Sequence, residues 1–528
     1  MRSPHTAGSR LALRWLALIL LLTPLLAVAR PQPAAAAGVV SQCTEAALRV
    51  ALMGGGVVTI TCGGVIPLTS QLEITQDTII DGNFVTLDGQ GATRLIHIGP
   101  GAEVELLSLR LINGNGNGES GGAIYNEGSL TVLGSQVESN TAAAEGGAIF
   151  NIGGTVTIFA SVLSDNRASI GGALKNLHGA VTIDGNLFLF NSAESDGGAI
   201  DSVGGTLLVR HTTFFVNEGG AGGAISSLND ATIIASSFEF NRASQGGAVL
   251  NVAGPMTITA STFAGNSASE FGGATILNVG GLALSFNTIA SSSAILHNED
   301  KGQAPGPTAL LSANILAGGS GADCVGPGIS SDGYNVGSDA SCNLTAVGDI
   351  QNANPLLGPL AANGGPSNTY LPQAGSPVLE RVPNHVCVTL AAANDGQDQR
   401  GAPRPEAAGL PCDSGSVELQ VNSFFCIGER SGSLRYVSAP NGCLRGEYRL
   451  MPTAEGEYAF CVGDRSGSMR YLADSGASCL RGESKQILPR IAPITICVGE
   501  RSRSVRLVAG GSGCLRGELQ YEVVNPAG

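Results

Sequence analysis

Gly146-Gly147-Ala148-Ile149-Phe150-Asn151-Ile152-Gly153-Gly154-Thr155-Val156-Thr157-Ile158-Phe159-Ala160-Ser161-Val162-Leu163-Ser164-Asp165-Asn166-Arg167-Ala168-Ser169-Ile170 is one period of a repeat, and its reading decides the fold. Within it, Thr155-Val156-Thr157-Ile158-Phe159 alternates in the manner of a strand. Ser161-Val162-Leu163 is a second short apolar stretch, and Gly153-Gly154 and Asp165-Asn166 supply turns. No window carries a helical period long enough to matter.

The opening Gly-Gly-Ala recurs from Gly121, Gly146, Gly171, Gly197, Gly222, Gly246 and Gly272, at gaps of 25, 25, 26, 25, 24 and 26 residues. A second series keeps the same period: Val137-x-x-Asn140, Leu163-x-x-Asn166, Phe188-x-x-Asn191, Phe214-x-x-Asn217, Phe238-x-x-Asn241 and Phe263-x-x-Asn266. Such a period means stacked units, each unable to bury its own apolar face alone. Leucine-rich units usually include a helical segment and propeller blades need about 40 residues, whereas a coil of parallel β-helix needs this length and strands this short. The expected fold is therefore all-β, a parallel β-helix of about ten turns. Asn126, Asn151, Asn176, Asn251 and Asn278 are then expected to stack as amide ladders at about 4.8 Å. Gly-Gly fits a corner that demands positive φ, and the recurring Phe is expected to point inward.

The pairing of GGA[ILV] with FxxN over residues 119–290 resembles the repeat of chlamydial polymorphic outer-membrane proteins and related bacterial surface β-helices. The resemblance, with the crossover rule, implies a right-handed coil. Because β-helices host adhesins, lyases and hydrolases alike, it implies no single activity. No membrane β-barrel is visible at the C-terminal end, so outer-membrane insertion is not implied.

Arg2, Arg10 and Arg14 precede an apolar run over residues 15–29, followed by small residues. This reads as a signal peptide spanning residues 1–37, cleaved after Ala29 or Ala37. A membrane anchor is the competing reading, but the run falls short of the roughly 18–20 residues a spanning helix needs. No later stretch approaches that length, so the mature chain is expected to lack a transmembrane segment. The 12 cysteines fall into close sequential pairs: Cys43 with Cys62, Cys324 with Cys342, Cys387 with Cys412, Cys426 with Cys443, Cys461 with Cys479, and Cys497 with Cys514. With no C-x-x-C and no His at ligand spacing, six disulfides formed in an oxidising compartment are expected instead of zinc sites.

Thr44-Glu45-Ala46-Ala47-Leu48-Arg49-Val50-Ala51-Leu52 reads as a threonine-capped amphipathic helix covering the open end of the solenoid, in a cap of residues 38–56. The β-helix is assigned to residues 57–316. Residues 317–420 carry Asn363-Gly364-Gly365-Pro366, Asp398-Gln399-Arg400-Gly401-x-Pro403-Arg404-Pro405 and Cys412-Asp413-Ser414-Gly415-Ser416-Val417-Glu418. These strings resemble the choice-of-anchor Q module that closes many bacterial secreted β-helices, which implies a capping and tethering role. In residues 421–528, Cys426-Ile427-Gly428-Glu429-Arg430-Ser431, Cys461-Val462-Gly463-Asp464-Arg465-Ser466 and Cys497-Val498-Gly499-Glu500-Arg501-Ser502 each lead to Cys-Leu-Arg-Gly-Glu. They are expected to form three disulfide-stapled β-hairpins, similar to short repeats on bacterial extracellular proteins.

Residues 38–420 hold 32 acidic and 11 basic side chains, a net of −21, while residues 421–528 hold 10 acidic and 13 basic, a net of +3. An acidic body argues against nucleic acid or acidic glycans as ligands of the solenoid. The Arg-rich tail could touch an anionic polymer, or simply be solvated. A hydrolase would need paired carboxylates about 5–9.5 Å apart, and a lyase a base with Ca²⁺-binding acids. The nearest constellation is Asp184, Arg210 and His211 on neighbouring coils, for which a cross-strand Asp184–Arg210 salt bridge is the bland alternative. Glu119, Glu145 and Asp196 precede Gly-Gly in scattered coils and build no acidic strip. A metal reading of Asp395 and Asp398 is the minor one, and turn and cap roles are the expected explanation. The only Trp lies in the leader, so sugar-stacking platforms are few. The chain is therefore expected to be a secreted, non-catalytic structural or adhesive protein without metal or cofactor, whose partner is a cell-envelope polymer, glycan or surface protein. A polysaccharide lyase or glycoside hydrolase is the alternative.

Overall fold

The computed structural model describes residues 38–419, apart from 271–273, 291–293, 303–305, 319–320, 374 and 407–408, together with the backbones of nine strands between Ser423 and Val523. Residues 1–37, read from the sequence as a signal peptide, and Gly272, Cys443, Cys479 and Cys514 therefore lie outside the described residues.

Each coil contributes one short strand to each of three long parallel sheets, of 13, 11 and 12 strands. In the period quoted above these are Ile149–Ile152 in the eleven-stranded sheet, Thr155–Phe159 in the thirteen-stranded sheet and Val162–Ser164 in the twelve-stranded sheet. A fourth, five-stranded sheet forms where coils add a strand such as Arg167–Ala168 after the Asn corner. The alternation of Thr155–Phe159 is realised as drawn, with Val156 and Ile158 inside and the other three side chains outside. Parallel pairing runs from Gly38–Val40 at one end to Val336–Gly337 at the other.

Both glycines of Gly-Gly-Ala are required, for different reasons. The first takes positive φ in each described copy, as at Gly146 and Gly171 with φ of 63° and 64°. The second lies so near the next coil that a Cβ on Gly172 would stand 2.1 Å from the Gly198 carbonyl oxygen. The following Ala, such as Ala148 or Ala173, is fully buried.

The asparagine of FxxN saturates its own corner. Asn166 accepts from the Asn140 backbone amide and from Asn140 Nδ2, and donates Nδ2 to the Val137 carbonyl and to Asn191 Oδ1, all within 2.9–3.1 Å. With every donor and acceptor of the amide used, burial costs no unmet hydrogen bond. The ladder continues through Asn191, Asn217, Asn241 and Asn266. The second expected ladder runs Asn126–Asn151–Asn176, is interrupted where Ser202 and Ser227 replace Asn, and resumes as Asn251–Asn278–Asn298. A third ladder, at Ser135, Ser161, Asn186, Thr212, Ser236, Ser261 and Asn287, lines the remaining corner. Phe188, Phe214, Phe238 and Phe263 stack inside with centroids 4.6–5.1 Å apart.

The N-terminal helix, Glu45–Leu52, is capped by Thr44 Oγ1, which accepts from the Ala47 amide at 3.3 Å, and buries Leu48 against the first coils. Disulfides join Cys43 to Cys62, Cys324 to Cys342 and Cys387 to Cys412. Residues after the last coil turn back along the outside of the twelve-stranded sheet instead of merely closing its end. Thr262 Oγ1 donates to Gln399 Oε1 at 2.5 Å, the Ser416 amide donates to Thr288 Oγ1 at 2.9 Å, and Asn368 donates to Glu239 Oε2 at 3.1 Å. Past residue 422, the central strands Ser423–Gly428, Glu457–Gly463 and Ile494–Gly499 each pair with a strand on both sides, so every repeat adds a third strand to the expected hairpin. Arg435, Arg470 and Arg506 hold matching register positions opposite Cys426, Cys461 and Cys497.

Candidate functional site

Asp184 and Arg210 are register partners at the ends of adjacent strands of the thirteen-stranded sheet, as the repeat implied. The expected ion pair between them is replaced by a hydrogen bond from one and an ion pair from the other. Asp184 Oδ1 meets His211 Nδ1 at 2.8 Å, while Arg210 Nη1 reaches Asp395 Oδ2 of the C-terminal module at 3.9 Å. His211 takes φ 46° in the bend after the strand, which swings its ring back toward Asp184. All four are partly or fully exposed, with Asp184 facing the His211 ring and Asp395 facing the Arg210 guanidinium.

The three acids before Gly-Gly go separate ways. Glu119 pairs with Arg94 at 3.1 Å, Glu145 approaches Lys175 at 3.8 Å, and Asp196 accepts from Ser195 Oγ at 3.1 Å. Asp398 is buried, and its two oxygens accept five hydrogen bonds, from the Arg400, Ala402 and Glu418 amides and from the Arg400 guanidinium. It is a turn organiser with no lone pair left for a cation. Asp395 is exposed in a left-handed turn. Among the described residues no group of three or more His, Cys, Asp or Glu is arranged to hold a metal.

Charged clusters that no sequence motif marks lie on the outer face of the eleven-stranded sheet, where the middle residue of each strand points away from the core. His97 bridges Glu73 and Glu127 at 2.7 and 3.0 Å. Tyr125 meets His97 edge to face and Phe150 at a tilt, and lies under the Arg94 guanidinium. Two coils on, Lys175 donates to Asp201, both nearly buried. Only alignment of the middle strand residues across coils would have exposed this row. In the module, Arg404 lies 3.3 Å from Glu418 and over the Phe286 ring. Burial raises Glu418 well above the ordinary carboxylate range and pushes Asp413 up to about 6. An open cavity of about 470 Å³ sits between module and solenoid beside Ala290, Ala317, Asn352 and Tyr370.

The corner before each FxxN asparagine carries the most unusual surface. Ser139, Asp165, Phe190, Val216, Phe240 and Gly265 occupy equivalent positions, all with φ between 54° and 62°. Phe190 and Phe240 are 48% and 51% exposed and Val216 is 37% exposed. Phe215 fills the space between the two rings edge to face, at 5.7 and 5.9 Å.

No family model and no curated protein matches the chain. Two solved structures do: the PL6 family alginate lyase AlyGC and a mutant of the same enzyme, at 14% and 13% identity and TM-scores of 0.36 and 0.37. The match covers 61% of this chain and 54% of the lyase, so the chain spans about half the lyase's length. At this identity and these TM-scores the likeness assigns the chain to no family.

Proposed function

We propose that this is a secreted, envelope- or surface-associated adhesive β-helix that holds a partner without cleaving it. The carrying observation is the strip formed by Phe190, Val216 and Phe240. A left-handed backbone disfavours bulky and β-branched residues by roughly 1–2 kcal/mol each, and Gly, Asn or Asp would serve there better. Gly265 and Asp165 occupy the same corner in other coils. Exposed apolar side chains add a second cost, and a sequence that keeps both is best explained by a contact made there. Phe215 braces the rings, so the strip is a rigid apolar ridge at the coil spacing.

The catalytic alternative, a polysaccharide lyase or glycoside hydrolase using Asp184, Arg210 and His211, is less well supported because Asp184 and Arg210 already have partners on the protein. The leader, the three described disulfides and the absence of a long apolar helix among the described residues suit export. In this reading residues 317–420 brace the solenoid flank and the Cys-paired repeats of residues 421–528 tether it. The test is to incubate the mature chain with neutral and uronic-acid polysaccharides, with and without Ca²⁺, and follow polymer length by size exclusion. Unchanged length supports the adhesive reading, and shortening replaces it with the catalytic one.

A further inference from the structure

We propose that Lys175 and Asp201 become joined by an intramolecular amide bond between neighbouring coils, with Glu145 transferring the protons. The two side chains are register partners on adjacent strands of the eleven-stranded sheet and both point outward from it. Yet they are only 5% and 3% exposed, and Lys175 Nζ already donates to Asp201 Oδ2. Glu145 Oε1 lies 3.8 Å from the same Nζ. The row continues with Phe150 on one side and Ser226 and Leu250 on the other, all buried.

Composition sharpens the point. The chain contains three lysines against 25 arginines. Arginine is the usual choice for a buried ion pair, because its planar fork binds carboxylate at two points and is weakly hydrated. The single lysine placed in this buried row is the residue whose amine, once deprotonated, is a nucleophile. An ion pair is also costly to keep there, because desolvation of both charges offsets much of their attraction. Burial raises the Asp201 carboxyl above its ordinary range, toward the neutral acid that condensation requires.

The chemistry balances without an outside reagent. The Glu145 carboxylate takes a proton from the Lys175 ammonium, and the free amine attacks Cγ of the Asp201 acid. Glu145 returns its proton to one hydroxyl of the tetrahedral adduct, and the C–O bond breaks as water leaves. Glu145 then removes the remaining extra proton from nitrogen and passes it to solvent through its exposed side. One C–N bond and one water are formed, and nothing is oxidised or reduced. Reactants fixed in contact gain the large effective concentration of an intramolecular reaction, and exclusion of water opposes the reverse hydrolysis. The product would tie two coils together irrespective of redox conditions.

The measurement is the intact mass of the mature protein after export, reduced and denatured, followed by fragmentation of its peptides. The proposal predicts a mass lower than that of the sequence by one water, with the Lys175 and Asp201 peptides found linked. Lys175→Arg, which keeps the charge and can be checked for native fold by circular dichroism, returns the full mass, and so does Glu145→Gln. Wild-type protein at full mass overturns the proposal. So does a water loss that persists in Lys175→Arg or maps elsewhere, such as a cyclised Asp196-Gly197. Persistence in Glu145→Gln alone removes Glu145 from the mechanism.

Discussion

Asn191 takes two hydrogen bonds from Asn166 and gives two, to the Leu163 carbonyl and Asn217, so three consecutive coils meet in one amide. Asn191→Ala strands buried donors and acceptors on both neighbours, each worth about 1–3 kcal/mol when unmet. The expected loss is therefore roughly 3 kcal/mol or more, read as a lower denaturant midpoint with unchanged slope. The exposed ridge predicts the opposite sign. Phe190→Asn and Phe240→Asn place a residue tolerant of the left-handed conformation where Phe is strained, so each should leave stability unchanged or raise it by up to about 1 kcal/mol while weakening adhesion. Losses of more than about 2 kcal/mol in thermal or denaturant unfolding would mean that these rings are structural. The Asn ladders were legible because their period is the coil itself. The ridge was not, because what singles out Phe190 is a backbone angle and an exposure, neither visible in a run such as Leu187-Phe188-Leu189-Phe190.

The module of residues 317–420 illustrates what periodicity misses. Its place on the flank depends on Thr262 and Thr288 presenting hydroxyls outward at matched register, which becomes meaningful only once Gln399 and Ser416 arrive. Similarly, Asp184 and Arg210 were correctly placed as neighbours, but the choice of His211 and Asp395 as their partners depended on a left-handed bend and on the returning module. Asp413, buried and accepting from the Glu380 and Leu419 amides, makes the stability of its own segment pH-dependent. Its folded-state pKa is raised by burial from 3.8 to about 6, so the native state holds the proton more tightly than the unfolded chain. That contribution is fully present below about pH 4 and is lost as pH rises through about 6. Other groups being equal, stability should fall between about pH 4 and pH 6.5 by on the order of 2 kcal/mol. Thermal melts across that range test this, and Asp413→Asn should flatten the dependence. A melt equally steep in the variant would assign the sensitivity to another group.

At the scale of the whole molecule, an acidic solenoid of some 300 residues is held by repeated coil-to-coil contacts, and with 32 acidic against 11 basic side chains over residues 38–420 most of its carboxylates have no basic partner to neutralise them. Long-range acidity should repel uronic-acid polymers at low salt and leave an apolar ridge as the more favourable contact. The solenoid was announced by one 25-residue period, whereas the proposed adhesion and cross-link rest on departures from that period: Phe in place of Gly or Asp, and Lys175 opposite Asp201. The most direct test combines length and retention in one experiment. Mature wild-type protein and the Phe190→Asn/Phe240→Asn variant are incubated with isolated bacterial envelopes and with soluble polysaccharides, and bound protein and polymer length are measured together. The account predicts envelope retention by the wild type, several-fold lower retention by the variant, and unchanged polymer length. Shortened polymer, or equal retention of both proteins, would contradict it.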